Sequence, residues 1–234
     1  MKFPDPLIRG RLVKRYKRFL ADIVLDESGE EITAHCANPG SMISTNEPGA
    51  EVWVSPARNP DRKLKFTWEL IRAGTGALVN INTGHANKVA EEAVAAGAIP
   101  ELAGYDTIRR EVKYGKNSRV DLLLESNGKP PCYVEIKSVT MWRDGECQFP
   151  DAVTARGAKH LAELADQVAA GHRAVMLYLA QRDDGKAFSI AADIDPTYAA
   201  ALRAGMESGV EILCYTCAVT TAGIEVAAPL ALRL

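Results

Sequence analysis

The sequence predicts a two-domain α/β protein, with a small β-barrel over residues 1–83 and a mixed-sheet α/β domain over 84–234. Three observations predict it. Composition shifts along the chain, from Pro, Gly, Asn and Thr in the first third to Ala, Leu and Glu in the rest. Short strand-like runs separated by turn residues fill the first part. From Ala86 onward, helix-forming stretches alternate with strand-like runs, as in an α/β sheet. With 234 residues, 47% of them hydrophobic, the chain can bury one large core or two smaller ones.

In the first domain, RLVKRYKRFLADIVL reads as one long or bent strand that ends at the turn Asp26–Gly29. EEITAHCA leads to the turn Asn38-Pro39-Gly40, and AEVWVS is bounded by Pro48-Gly49 and Pro56. LKFTWELIRA and ALVNINT, separated by Gly74-Thr75-Gly76, complete a set of five. A five-stranded OB-like barrel is the simplest fold with that count. Trp53, Trp68 and Phe66 read as its core. The Gly-x-Gly is not a dinucleotide loop, because no helix follows it and the third glycine is missing.

In the second domain, ANKVAEEAVAAG predicts a helix stopped by Gly97 and Pro100. TIRREVKY, RVDLLLE and CYVEIKSV read as strands, and TMWRDGECQFPDAVT as a loop. RGAKHLAELADQVAAG is a helix, and RAVMLYLA a buried parallel strand because it is continuously apolar. FSIAADI, the helix DPTYAAALRAGMESG and the strand VEILCYT follow.

Charge and cysteines narrow the classes. No run of 18 apolar residues exists, so no membrane span is expected. MKFPDPLIRG lacks a signal-peptide core, and five scattered cysteines suit a reducing compartment, so the expected location is cytoplasmic. Cys214 and Cys217 lie in a strand, where residues three apart point to opposite faces, and read as buried thiols. Net charge is −2, yet RGRLVKRYKR holds six basic residues and no acid: Arg9, Arg11, Lys14, Arg15, Lys17 and Arg18. Such a patch can track phosphates, with Tyr16 and Phe19 stacking on bases or packing in the core. His35, His85, His160 and His172 show no metal spacing and read as structural or surface residues.

The chemistry concentrates in RVDLLLE and CYVEIKS. Folding the two strands symmetrically about Gly128 sets residue i opposite residue 256 minus i, so Asp121 meets Glu135. Opposed β-carbons are about 4.5–5.5 Å apart, near enough for both carboxylates to hold one ion. Lys137 shares their face, while Val120, Leu122, Leu124, Val134 and Ile136 share the other. Paired carboxylates repel unless a cation or a proton sits between them, and Mg²⁺ (or Mn²⁺) suits the pair because it takes one or two carboxylates with waters and phosphates. The set points to metal-dependent phosphodiester hydrolysis, with Lys137 orienting water or neutralising the phosphate.

This Asp…Glu-x-Lys hairpin between two helices resembles the PD-(D/E)xK nuclease superfamily. The whole chain resembles the sugar fermentation stimulation protein A family through RYKRFLADI, HCANPGSM, TWELI, NINTGHANK, REVKYGKNSRVDLLL, CYVEIKSVT, FPDAVTARGAKHL and SGVEIL. The resemblance implies an OB-like domain, a nuclease-like domain, largely sequence-non-specific DNA binding and a regulatory link to sugar metabolism. Asp121, Glu135 and Lys137 match its motif, with Val120 in place of the usual proline. Related nucleases add a glutamate from the first helix. Glu92 is the choice over Glu91, because it shares a face with Val89 and Ala96. Arg156 and Lys159 fall where relatives place a phosphate-contacting residue. HCANPGSM reads either as a tight turn or as a loop lining the inter-domain cleft. Rival functions are a non-catalytic DNA-binding regulator of sugar metabolism and an RNA-binding factor. The sequence leaves the oligomeric state open, a homodimer included.

Overall fold

The computed structural model describes residues 1–115 and 118–234. The first domain is a barrel of five strands: β1 (Ile8–Tyr16), β2 (Leu20–Leu25), β3 (Glu31–Cys36), β4 (Glu51–Pro56) and β5 (Phe66–Arg72). Strand pairs β1–β2, β2–β3, β3–β5, β5–β4 and β4–β1 close it, with only β3–β5 parallel. The count of five stands, but its membership differs from expectation. The long first run is a hairpin, because Lys17 and Arg18 turn the chain with φ of 46° and 64°. ALVNINT supplies only a short sixth strand, β6 (Leu78–Asn80), beside β5. Trp68 is fully buried, and Leu12, Ile23, Val52 and Ile71 pack with it.

The second domain is built on a six-stranded sheet. Its strands are β7 (Thr107–Tyr114), β8 (Ser118–Glu125), β9 (Cys132–Val139), β12 (Arg173–Ala180), β14 (Glu211–Val219) and β15 (Ile224–Pro229), in spatial order 15-14-12-9-8-7. The continuously apolar β12 is parallel to both β9 and β14, as its composition predicts. Helix α1 (Ala86–Ala95) covers one face of the sheet, and α2 (Ala155–Ala169) and α3 (Pro196–Glu207) cover the other. Cys217 lies in the first core and Cys214 in the second, so the C-x-x-C is two buried thiols. The segment read as a loop holds a hairpin, β10 (Met141–Arg143) and β11 (Glu146–Phe149). Strands β13 (Ala187–Ile190) and β16 (Leu232–Arg233) extend it. Its strands are too short to show a period. Among the described residues no helix is long and apolar enough to cross a membrane.

Residues 1–3 pack on the second domain. The Met1 ammonium donates to the Ile224 carbonyl at 2.6 Å, and Phe3 joins the α1 core. The two domains are pinned together by buried polar groups. Asn80 bonds both the side chain and the backbone of Gln181 at 2.9 and 3.0 Å. Fully buried Arg182 donates to the Thr140 carbonyl and to Thr75 and is paired with Asp184.

A third pin involves HCANPGSM. Ser41 Oγ donates to the Asp151 carbonyl at 2.5 Å, and Asp151 Oδ2 accepts the Met42 N–H at 2.9 Å. A β-carbon on Gly40 would stand 2.3 Å from Asp151 Oδ1, and that carboxylate cannot retreat without losing Met42. Gly40→Ala is therefore expected to cost about 1–3 kcal/mol of stability, the usual range for overpacking. Urea denaturation measures it, and an unchanged midpoint would show that the loop can give way.

Candidate active site

The β8–β9 ladder runs Leu124↔Cys132, Leu123↔Tyr133 and Leu122↔Val134, the register expected from a turn about Gly128. Gly128 sits at φ 79°, which a residue with a side chain rarely adopts. The ladder stops before Asp121 and Glu135, and Asp121 causes the stop. Its Oδ2 accepts the Ile136 N–H at 2.7 Å, a donor that strand pairing would otherwise use. Its Oδ1 accepts Asn87 Nδ2 at 2.8 Å, from the first turn of α1. The strands part at this point. Val120 consequently packs in the α2 core, whereas Leu122, Leu124, Val134 and Ile136 pack on the α1 side. The expectation that Val120 shares their face fails because β8 changes face at Asp121.

Glu135 is almost wholly buried. Its Oε1 accepts Lys137 Nζ at 2.8 Å and is hydrogen-bonded to His160 Nδ1 from α2. Arg156 Nε donates to His160 Nε2 at 3.2 Å. Since arginine can only donate, that nitrogen accepts and Nδ1 is left to donate to Glu135. Among the described residues, Glu135 Oε2 is buried with no hydrogen-bond partner, which is costly unless something else binds it.

The two carboxylates respond to this setting in opposite ways. Burial first, and then the charge of Glu135, push Asp121 up to about 6, against the Ile136 and Asn87 hydrogen bonds. Burial also pushes Glu135 up, but His160 and Lys137 together outweigh it and hold that carboxyl below its ordinary value. Without metal, ionised Asp121 is therefore a liability. Its raised pKa means that its contribution is favourable below its unfolded value near 3.8 and is lost as pH rises through about 6. At pH 7 the loss amounts to about 2–3 kcal/mol. In chelator, Asp121→Asn should be more stable than the parent at pH 7 by up to that amount, with the gap closing towards pH 4. The Ile136 N–H keeps an acceptor, and the Asn87 amide can turn to face the new carboxamide. Parallel stability–pH curves for the two proteins would refute this.

Several expected site residues lie elsewhere. Glu92 does not point inward. It is exposed on α1, pairs with the Met1 ammonium at 2.6 Å and lies 3.9 Å from Lys88, because the chain terminus folds back beside it. Among the described residues no three His, Cys, Asp or Glu side chains converge as a metal nest. Lys159 donates to Ser118 Oγ at 3.1 Å and pairs with Glu163. The basic strand is not an open cationic face. Arg9 and Arg11 meet Asp26 and Glu51, and Lys14 meets Asp22, all from neighbouring strands or turns. A bulge between Leu12 and Lys14 accompanies a break in alternation. Arg15 is half-buried, and its guanidinium holds the carbonyls of Asn38, Gly40 and Ser41 at 2.8–3.2 Å. Tyr16 donates to Asp22, and Phe19 is exposed.

Two residues at the centre were missed, Asn87 and His160. The only signal for them was that they lie in NINTGHANK and FPDAVTARGAKHL. A cleft of about 340 Å³ between the domains reaches Lys137 and Asn87. Asn38, Pro39 and Gly40 line it from the barrel side together with Arg18, and Phe149–Thr154 line the opposite wall.

Comparison with known proteins agrees with this architecture. Residues 13–81 match the SfsA N-terminal OB domain, and residues 84–223 match the sugar fermentation stimulation protein RE domain. A sugar fermentation stimulation protein homolog of Paramagnetospirillum magneticum is 58% identical, over 100% of this chain and 98% of that one. Another from Rhodospirillum rubrum is 59% identical, over 94% and 93%. The structure of Pyrococcus furiosus SfsA in complex with Ca²⁺ superposes with a TM-score of 0.89 and 25% identity, covering 100% of this chain and 98% of that one. With both domain models matched and full-length relatives above 50% identity, the chain belongs to the sugar fermentation stimulation protein (SfsA) family.

Proposed function

We propose that this protein is a divalent-metal-dependent nuclease that binds DNA without strong sequence preference and hydrolyses its phosphodiester backbone at Asp121, Glu135 and Lys137. One observation carries the reading. Among the described residues, Glu135 keeps a buried, unpartnered oxygen where β8 and β9 part beside Asp121, a carboxylate that burial and then its neighbour's charge make hard to ionise. A cation relieves both costs at once. Two carboxylates without a third protein ligand suit Mg²⁺ or Mn²⁺, which keep waters and accept phosphate oxygens, and do not suit a four-ligand zinc site. The Ca²⁺ in the Pyrococcus furiosus relative supports a hard divalent ion at a site of this family.

Bound there, the ion would polarise a phosphoryl oxygen and lower the pKa of a water. The protein's own groups do the positioning. Asn87 and the Ile136 N–H fix the Asp121 carboxylate, and His160, itself held by Arg156, fixes Glu135. Lys137 Nζ, on the cleft side of Glu135, orients the attacking water or offsets charge developing on the phosphate. Arg18, at the β1–β2 turn, faces the same cleft and would meet the nucleic-acid backbone.

The test is incubation of plasmid, single-stranded DNA and RNA with purified protein in Mg²⁺ or Mn²⁺, against chelator and against Lys137→Ala. Metal-dependent cuts absent from the variant support the proposal. DNA binding with no cleavage of any substrate would favour a second reading, a non-catalytic DNA-binding regulator. That reading draws on the internal donors that already satisfy three of the four carboxylate oxygens.

A further inference from the structure

We propose that the inter-domain cleft is a nucleobase pocket and that the substrate is single-stranded DNA, with one unpaired base seated in the cleft beside the phosphate at Lys137. The inference rests on the nuclease reading above and names the substrate class of that site.

The cleft has two kinds of surface. Lys137 and Asn87 line it at the reaction centre. Much of the remaining wall is apolar: Pro39 from the barrel, Ala86 from α1, and Met141, Phe149, Pro150 and Val153 from the second domain. Among the described residues Val153 is the most exposed large apolar side chain, at 76%. Several polar residues of the wall are already satisfied within the protein. Asn38 donates to the Ile81 carbonyl and accepts the Gly40 N–H, Thr83 donates to the Ala37 carbonyl, and Gln148 bonds Arg143 and Ser189. Ser138 differs. It lines the cleft, and its Oγ is buried with no hydrogen-bond partner among the described residues. Arg18 also faces the cleft and, unlike Arg9, Arg11 and Lys14 of the same basic run, meets no carboxylate among the described residues.

These surfaces describe one kind of ligand. It needs an apolar body for the walls, a hydrogen-bonding group for Ser138, and an anionic end for Lys137 and Arg18. A nucleotide unit has all three, in the faces of its base, the polar atoms on the base edge, and its phosphate. The volume of about 340 Å³ lies at the small end of ligand pockets, about 300–1,000 Å³, which gives room for one nucleotide and not for a run of stacked base pairs. In a duplex, stacking and pairing hide the faces and the edge of every base, and taking a base out of the stack has an energetic cost. A single strand presents its bases without that cost. Contact through base faces tolerates any sequence, because every base has such a face. The pocket therefore selects for strandedness and leaves sequence preference weak.

The experiment is fluorescence anisotropy of labelled DNA oligonucleotides with the full chain in chelator, at fixed salt. The probes are a single strand, its matched duplex, and the same duplex with one unpaired nucleotide. The parent should bind the single strand about ten-fold more tightly than the matched duplex, the usual worth of seating one base, with the third probe between them. Ser138→Ala should cut this preference about two- to five-fold, the worth of one hydrogen bond, without lowering the melting temperature, since the lost hydroxyl had no partner in the free protein. Val153→Glu, at an exposed position, should abolish the preference by placing a charge where the base would lie. Met206→Glu, the same charge change on an exposed residue of α3, should leave it intact. If the parent binds single strand and duplex equally, or if Ser138→Ala or Val153→Glu keeps the full preference, the pocket is refuted and the nuclease reading stands. If the parent binds no nucleic acid at any salt, both are refuted.

Discussion

Lys137→Ala is expected to lower metal-dependent cleavage about 100- to 1,000-fold, the usual cost of removing one preorganised group that stabilises developing charge. Lys137 sits where such a loss should be large. Its Nζ is 2.8 Å from Glu135 Oε1, its side chain is 14% exposed, and it opens onto the inter-domain cleft. On the proposed function the loss should fall on kcat, because DNA would be held mainly through phosphates elsewhere on the surface. Glu135 would keep His160 but lose a compensating charge, so the melting temperature should drop a few degrees, and activity must be compared well below it. Lys137→Arg retains the charge but not the compact ammonium, and should recover stability more than rate. A Lys137→Ala enzyme that keeps more than a tenth of the parent rate would remove this residue from the chemistry.

Divalent metal should stabilise the protein through the same two carboxylates. At a concentration 100 times Kd, a ligand that binds only the folded state adds about 2.7 kcal/mol. For a chain of this length that corresponds to about 5–10 °C in melting temperature. Ca²⁺, Mg²⁺ and Mn²⁺ should all produce the shift at neutral pH. It should shrink below pH 6, where Asp121, pushed up to about 6 by burial and by Glu135, takes a proton instead. Asp121→Asn should respond to no metal while starting from a higher melting temperature in chelator. This opposite movement separates a metal site from general electrostatic stabilisation. Melting curves that none of the three ions shifts would refute the metal centre and leave the Glu135 oxygen unexplained.

Where the sequence carried its own period, the structure follows it. Alternation along RVDLLLE and CYVEIKS, with a turn centred on Gly128, was enough to give the observed register, which ends just before Asp121 and Glu135. Continuous apolarity was enough for the buried parallel β12. The short strands β10 and β11 and the Lys17-Arg18 turn lacked any such period, so they were read as a loop and as part of a strand.

The sequence by itself determined the two-domain order and the hairpin that carries Asp121, Glu135 and Lys137, because side-chain alternation and turn chemistry act between near neighbours. Tertiary structure alone decided that Asn87 and His160 complete the centre, that Glu92 turns away to the Met1 ammonium, and that Asp22, Asp26 and Glu51 neutralise most of the basic strand. Each of those contacts joins side chains from different elements. Electrostatic pairing depends on distance in space, which no local period in the chain encodes.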